Sequence, residues 1–235
     1  LEIHDLAGAL YDPNDGDIDP AQLTQALAKG ARDLGAKILR FTPAIGVTQK
    51  NDKTWTVHTE KGDINCQYVV NAAGYYAQQV GEWFKPYGGR TVPMMVMSHQ
   101  YLLSEEIPEI ENYAKKSGKK LPLLRDVDIS YYLRQEKNGF NLGPYEPNCK
   151  AHWATEDDPM PDDFSFQLWN DDLDRIEDIV ADAMERVPLL GTSGVSRVIN
   201  GPIPYAPDGL PLIGPMPGVE NCLLYTSPSP RDLSE

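Results

Sequence analysis

The stretch Tyr68-Val69-Val70-Asn71-Ala72-Ala73-Gly74 limits what this chain can fold into more than any other. Tyr-Val-Val is apolar and largely β-branched, the pattern of a strand covered on both faces. Ala72, Ala73 and Gly74 then strip away the side chains, so that another group can come close to the backbone. In open parallel sheets, ligands bind outside the carboxyl ends of strands. Alone, the stretch reads as an ordinary strand-to-helix turn. Its surroundings tip the reading: a helix and a three-strand meander come before it, and a long excursion after it returns near Asn200.

The helix is marked at both ends. Asp19 suits the N-cap, Pro20 the first helical position and Gly35 the stop, with Leu23, Ala26, Leu27, Gly30, Ala31 and Leu34 at helical spacing between them. Strands are expected at Lys37–Phe41 running on toward Val47, at Thr54–Thr59 and at Ile64–Val70, and a short helix at Tyr75–Phe84. The texture changes at Arg90. Thr91–Leu103 reads as a long strand and Ser104–Lys120 as a polar, charged insertion. Ile129–Gln135 and Phe140–Leu142 read as a hairpin across Asn138-Gly139, and Asn148–Asp163 as a loop. Asn170 or Asp171 is expected to cap a helix with Leu173, Ile176, Ile179, Val180, Ala183 and Val187 inward, ended by Pro188. Val195–Pro217 is an extended, proline-rich return.

Composition removes whole classes of function. Thirty-five acidic against 21 basic residues leave a formal charge of −14, unsuited to a nucleic-acid or anionic-membrane surface. No apolar run approaches a membrane span. Cys66, Cys149 and Cys222 are scattered and lack C-x-x-C spacing, which suits reduced thiols in a cytosol-like compartment and no zinc site.

Helix, meander and buried strand in this order resemble the later half of a flavin-binding Rossmann domain of the glutathione-reductase type. Gly16-Asp17-Ile18-Asp19-Pro20 with its helix, and Val69-Val70-Asn71-Ala72-Ala73-Gly74-Tyr75, resemble the D-amino-acid-oxidase superfamily. The run Asn200–Pro215, His99-Gln100-Tyr101 and Leu142-Gly143-Pro144-Tyr145-Glu146 are similar to its dimethylglycine and sarcosine dehydrogenase branch. The resemblance implies an α/β chain: a partial FAD-binding Rossmann-type domain with a β-meander over 1–85 and 195–221, and a mixed-sheet α+β substrate domain over 86–194. It also implies FAD and oxidation of an N-methyl amine: a hydride leaves a methyl carbon for the flavin, and water or tetrahydrofolate captures the iminium. The redox chemistry is the cofactor's, and the protein supplies orientation and electrostatics.

Roles carry over residue by residue. Ala44 falls where the family places a backbone contact to adenine. Ala73, Gly74 and Tyr75 fall where the strand end meets the dinucleotide, with Tyr75 in a position that is often Trp. Gly201, Pro202, Ile203, Pro204, Tyr205 and Asp208 are expected along the flavin, their amides offered to its polar edge. Tyr132 and Arg134 share one face of a strand by its two-residue period, and Tyr131, Leu133 and Gln135 the other. A phenol and a guanidinium suit a substrate carboxylate, while a ladder of polar surface pairs is the equal alternative. Tyr145 joins these candidates, and no metal is expected. His99 is read as structural, as are His4, His58 and His152.

No G-x-G-x-x-G occurs, so the pyrophosphate-binding unit, and the histidine that links FAD in this branch, are expected upstream of Leu1. Cys222–Asp232 resembles a translated transposase-type sequencing adapter. The native sequence is therefore expected to end near Asn221, leaving 222–235 as a non-native or disordered tail without strand pairing. Two further readings stay open: a non-catalytic regulatory paralogue of the same fold, and an oxidase of another secondary amine. Expected partners are a small N-methylated amino acid and an electron-transfer flavoprotein. The expected location is the cytoplasm, or the mitochondrial matrix of a eukaryote.

Overall fold

Residues 1–226, apart from Glu156, Asp162 and Phe166, are described by a computed structural model. Helix α1 (Pro20–Asp33) forms as its end signals predict: Asp19 Oδ1 accepts the Gln22 amide at 3.0 Å, and Gly35 follows the helix at φ 92°. Its apolar stripe is not buried, however; no residue of α1 is. Lys37–Phe41 is not a strand. Ile38, Leu39 and Phe41 are exposed, and strand β1 begins only at Ala44. No described strand lies beside 37–41, and an extended segment without a ladder partner gains nothing from straightening.

Strands β1 (Ala44–Gln49), β2 (Trp55–Thr59) and β3 (Ile64–Cys66) form the antiparallel meander. The single strand expected over Ile64–Val70 divides after Cys66, and β4 (Val69–Asn71) belongs to a different sheet. Tyr68 and Val70 are exposed, so β4 is covered on one face only. After the Gly74–Tyr76 turn comes α2 (Ala77–Glu82). Trp55 closes the core here, edge-on to Phe84 at 5.1 Å and to Tyr87 at 5.3 Å.

Beyond Arg90 the chain builds β5 (Met95–Ser104), α3 (Pro108–Ser117), β6 (Leu124–Asp126), β7 (Tyr131–Glu136), β8 (Gly139–Pro144), β9 (Ala151–His152), α4 (Glu177–Arg186) and β10 (Val195–Tyr205). The expected polar insertion contains α3, because Ile107 and Ile110 are fully buried under its charged surface. The hairpin turns at Lys137-Asn138, one residue before the expected pair. Neither Asn170 nor Asp171 caps α4, which starts after Ile176. Their segment is tied to the sheet instead: the Asn170 carbonyl accepts from Asn200 Nδ2, and the Asp172 amide donates to Gln100 Oε1.

The large sheet has the order β10-β5-β8-β7-β6, with β9 beside β5. Strand β10 pairs with β5 from one end to the other. Val195–Tyr205, expected in the nucleotide-side layer, therefore belongs to the large sheet built from the residues beyond Arg90. Only β11 (Leu212–Pro215) and β12 (Cys222–Thr226) join β4, in the order β11-β12-β4. Strand β12 corrects the expectation of an unpaired tail: it runs parallel to β4 and antiparallel to β11. Cys-Leu-Leu-Tyr-Thr alternates well enough to fill the slot, with Cys222, Leu224 and Thr226 buried and Leu223 and Tyr225 outward. The Ser-Pro run begins at Ser227, and 227–235 lie outside the described residues.

One face of the large sheet is packed. Leu102, Tyr131, Leu133, Phe140 and Leu142 meet Ile176, Ala183 and Val187 around α4. Register then assigns the opposite face, because cross-strand partners point the same way. That face holds His99 and Tyr101 of β5, Asn141 and Gly143 of β8, Tyr132 and Arg134 of β7, and Ile199 and Gly201 of β10.

Candidate active site

The Gly74–Tyr76 turn meets strand β10. The Asn71–Gly74 strand end is shaped by one side chain: Asn71 Nδ2 donates to the Ala77 carbonyl at 2.8 Å, and its Oδ1 accepts the Ala73 amide at 3.3 Å. Gly74 sits at φ 59°, a left-handed conformation open to glycine, and nothing lies within 4 Å of where a Cβ would point. Ala72 and Gly74 are exposed. The turn Gly74–Tyr76 lies against β10, so the strand end and that strand are neighbours. Ala44 stands exposed at the start of β1, beside a break in the β1–β2 register. It is not part of this meeting.

The Gly201–Asp208 run behaves differently from the expectation. Gln100 and Asn200 face each other as a pair that does not exchange hydrogen bonds. The Gln100 amide goes to Glu146 Oε1 at 2.8 Å, and the Asn200 carbonyl accepts the Trp169 amide at 3.0 Å. By the strand period, Gly201, Ile203 and Tyr205 direct their amides into the ladder with β5, and the outer edge carries Pro202 and Pro204, which have none. Amides from this stretch are therefore not on offer to a ligand. Asp208 is held in its own turn, with Oδ1 accepting the Leu210 amide at 3.0 Å.

On β7, Tyr132 lays its ring over Gly143 and stands 5.9 Å from the ring of Tyr145. The two phenol rings are neighbours. Arg134 lies farther along the same face, its side chain 18% exposed. Its guanidinium meets two carboxylates of this chain, Asp17 at 3.2 Å and Glu136 at 3.0 Å. Lys120, 3.0 Å from Asp17, and Arg134 together hold the Asp17 carboxyl below its ordinary range.

Sequence reasoning passed over His99. Its side chain is 10% exposed, and Nδ1 is buried without a hydrogen-bond partner among the described residues. Burial, helped by the charge of Arg175, holds the imidazole down at about 4, so it is neutral at physiological pH. Glu146 Oε1 lies 3.9 Å from Nδ1, but Glu146 Oε2 is taken by Arg175 Nη2 at 3.0 Å. Cys149 completes the group, within 4.8 Å of both. The guanidinium already supplies the charge that a cation would bring to Glu146. A cavity of about 500 Å3 opens beside the group, lined by Met94, Met95, Met97, Glu146, Cys149 and Tyr205. The signal was faint because Glu146 and Arg175 are remote from His99 in sequence.

Comparison with known proteins gives the arrangement a context. The family model described as FAD dependent oxidoreductase (DAO) matches residues 1–230. The chain is 41% identical over 230 residues to mitochondrial dimethylglycine dehydrogenase of Mus musculus, a match covering 96% of this chain and 25% of that protein. It is 32% identical to mitochondrial sarcosine dehydrogenase of Mus musculus, over 95% of this chain and 23% of that protein. The chain thus spans about a quarter of the curated relatives it matches. In structure it resembles L-proline dehydrogenase from P. horikoshii, with TM-score 0.69 and 22% identity over 92% of this chain and 52% of that one.

Proposed function

Because this chain belongs to the FAD dependent oxidoreductase (DAO) family, we propose that it forms part of an FAD-dependent dehydrogenase acting on an N-methyl group of a glycine derivative, of the dimethylglycine or sarcosine type. The observation that carries this reading is one sheet face holding a neutral imidazole, Tyr132 and Arg134, with the ring of Tyr145 beside that of Tyr132, in a chain 41% identical to a dimethylglycine dehydrogenase. FAD, when bound, supplies the hydride acceptor.

The residues present fit such a group. The open, side-chain-free end at Ala73-Gly74, with Tyr75 beside it, takes the dinucleotide, and Ala44 approaches the adenine end. Gly201 through Tyr205 offer a stiff, proline-bound edge to the flavin, and Asp208 fixes the turn that ends it. On the sheet face, Arg134 takes the substrate carboxylate by exchanging it for Asp17, two like-charged groups competing for one planar fork. Tyr132 and Tyr145 orient the bound amino acid. His99, neutral, is an acceptor for an N–H of the bound amine. A flavoprotein takes up the electrons, tetrahydrofolate captures the one-carbon unit elsewhere in the full-length protein, and a eukaryotic form works in the mitochondrial matrix.

The test is anaerobic mixing of the full-length, flavin-loaded enzyme with dimethylglycine, sarcosine and unmethylated glycine. Flavin bleaching by the N-methylated amines, and far slower bleaching by glycine, is expected. A fully loaded enzyme that no N-methylated amino acid reduces would overturn the reading.

A further inference from the structure

Glu146 and His99 present a puzzle of pairing. A buried carboxylate 3.9 Å from a buried imidazole is ordinarily an ion pair in waiting, since each would stabilise the other's charge. Here the pair does not form. The Glu146 side chain, 1% exposed, has Oε2 in an ion pair 3.0 Å from Arg175 Nη2, though not in hydrogen-bonding geometry, and Oε1 accepts the Gln100 amide at 2.8 Å. Arg175 is itself fixed at a second point, donating from Nη1 to Ser98 Oγ at 2.7 Å. Gln100 is locked at its far end by both backbone groups of Asp172, at 2.8 and 2.9 Å. The residues on either side of His99 are thus clamped from the turn that leads into α4, and His99 itself is left with a buried Nδ1 that has no hydrogen-bond partner among the described residues.

We infer that Arg175 is a positioning residue of this site: by claiming the Glu146 carboxylate it keeps His99 neutral and free to engage an amine at the open sheet face. The role at the amine rests on the functional reading above; the control of His99 does not. The charged and titratable groups around His99 come from several elements. Glu146 and Cys149 come from the segment after β8, His152 from β9, and Asp172 and Arg175 from the turn before α4, while β10 presents Gly201. Glu146 alone among these brings a nearby negative charge that Arg175 neutralises; Asp172 Oδ2 stands on the far side of Arg175, 3.6 Å from Nε. Without Arg175 the carboxylate is left facing the imidazole, and the imidazolium becomes the favoured form.

The decisive measurement is the titration of His99 in the 235-residue chain, followed by NMR with 13C-labelled histidine and assigned with His99→Gln. In the parent, His99 should stay neutral to well below 6.5, the ordinary value. In Arg175→Met it should titrate above 6.5, and in Arg175→Gln likewise, a second variant that keeps a hydrogen bond and guards against misfolding of the first. In the double variant Glu146→Gln/Arg175→Met it should fall back below 6.5, because burial alone then acts. Titration that remains low in both single variants, or stays high in the double variant, overturns the inference. In the full-length enzyme, Arg175→Met should lower kcat/KM more than tenfold at pH 6 and little at pH 9. If His99 titrates as expected but the pH profile does not move, the control of His99 stands and the placement of the amine at this face fails.

Discussion

A Cβ placed on Gly143 would fall 2.1 Å from Cε1 of Tyr132. The glycine is the seat of the tyrosine ring. The clashing atoms belong to the outer ring and not to backbone, so the ring must swing while the strand can stay. Gly143→Ala should therefore destabilise by about 1–3 kcal/mol yet lower kcat/KM at least tenfold in the full-length enzyme. Thermal unfolding and steady-state kinetics together check this. Kinetics unchanged in Gly143→Ala would remove Tyr132 from the site.

Arg134→Lys keeps the charge and loses the planar guanidinium, whose Nη1 now meets both Asp17 and Glu136. KM for a carboxylate substrate should rise, with kcat less affected. Asp17→Asn tests the exchange directly: with its competitor gone, Arg134 should bind the substrate more tightly, and KM should fall. An increase in KM for Asp17→Asn would mean that Asp17 orients Arg134 rather than competing for it.

Arg186 gathers Asp5 by both oxygens, at 2.6 and 2.8 Å, and Asp126 at 2.9 Å. Asp126 is 8% exposed. Arg186→Leu leaves that carboxylate buried and unpaired, so about 3–5 kcal/mol of stability should be lost. Asp5→Asn should do much less, since Asp5 stands in solvent. Denaturant midpoints compare the two, and equal losses would contradict the assignment.

Stability should depend on pH in two windows. His99 has a folded value near 4, below its ordinary 6.5, so between the two the unfolded chain binds the proton first. Stability is complete above 6.5 and falls as pH drops toward 4. Asp5, held at about 2 by Arg186, and Asp17, also lowered, stabilise above the ordinary 3.8 and lose that contribution as pH falls further. His99→Gln should flatten the first window and leave the second. Chemical denaturation across pH 7 to 2 checks both.

Expressed alone, the 235-residue chain should not retain FAD. Flavin affinity in such folds rests on a glycine-rich turn at a helix N-terminus, where amides and dipole meet the pyrophosphate, and the sequence has no G-x-G-x-x-G. What it offers is an open strand end and an edge whose amides are already paired. Visible absorbance of the purified chain decides, and near-stoichiometric flavin would show these contacts to be stronger than argued.

Local signals were legible in the sequence and long-range partners were not. Asp19 and Pro20 announced α1 because capping involves neighbours within one turn. Tyr132 and Arg134 were placed together by the strand period, and the register put Gly143 beneath the ring. The helix α3 was hidden because only Ile107 and Ile110 anchor an otherwise charged stretch. Strand β10 was assigned to the wrong layer because an extended run does not say which strand it will pair with. His99 was missed for a related reason: a histidine in mid-strand is unremarkable until Glu146 and Arg175 arrive from distant parts of the chain. The Cys222–Thr226 strand shows the converse, since an alternating pentapeptide fits wherever a sheet leaves a slot.

Pro202 and Pro204 lie on the outer edge of β10, with carbonyls and no amides. Such an edge can accept hydrogen bonds but cannot return them, so another strand cannot zip onto it. The rim of the sheet is thereby protected from edge-to-edge aggregation along Pro202–Pro204. It is also selective: a molecule that settles along it must bring its own N–H or O–H donors, and one that carries only acceptors finds nothing to hold.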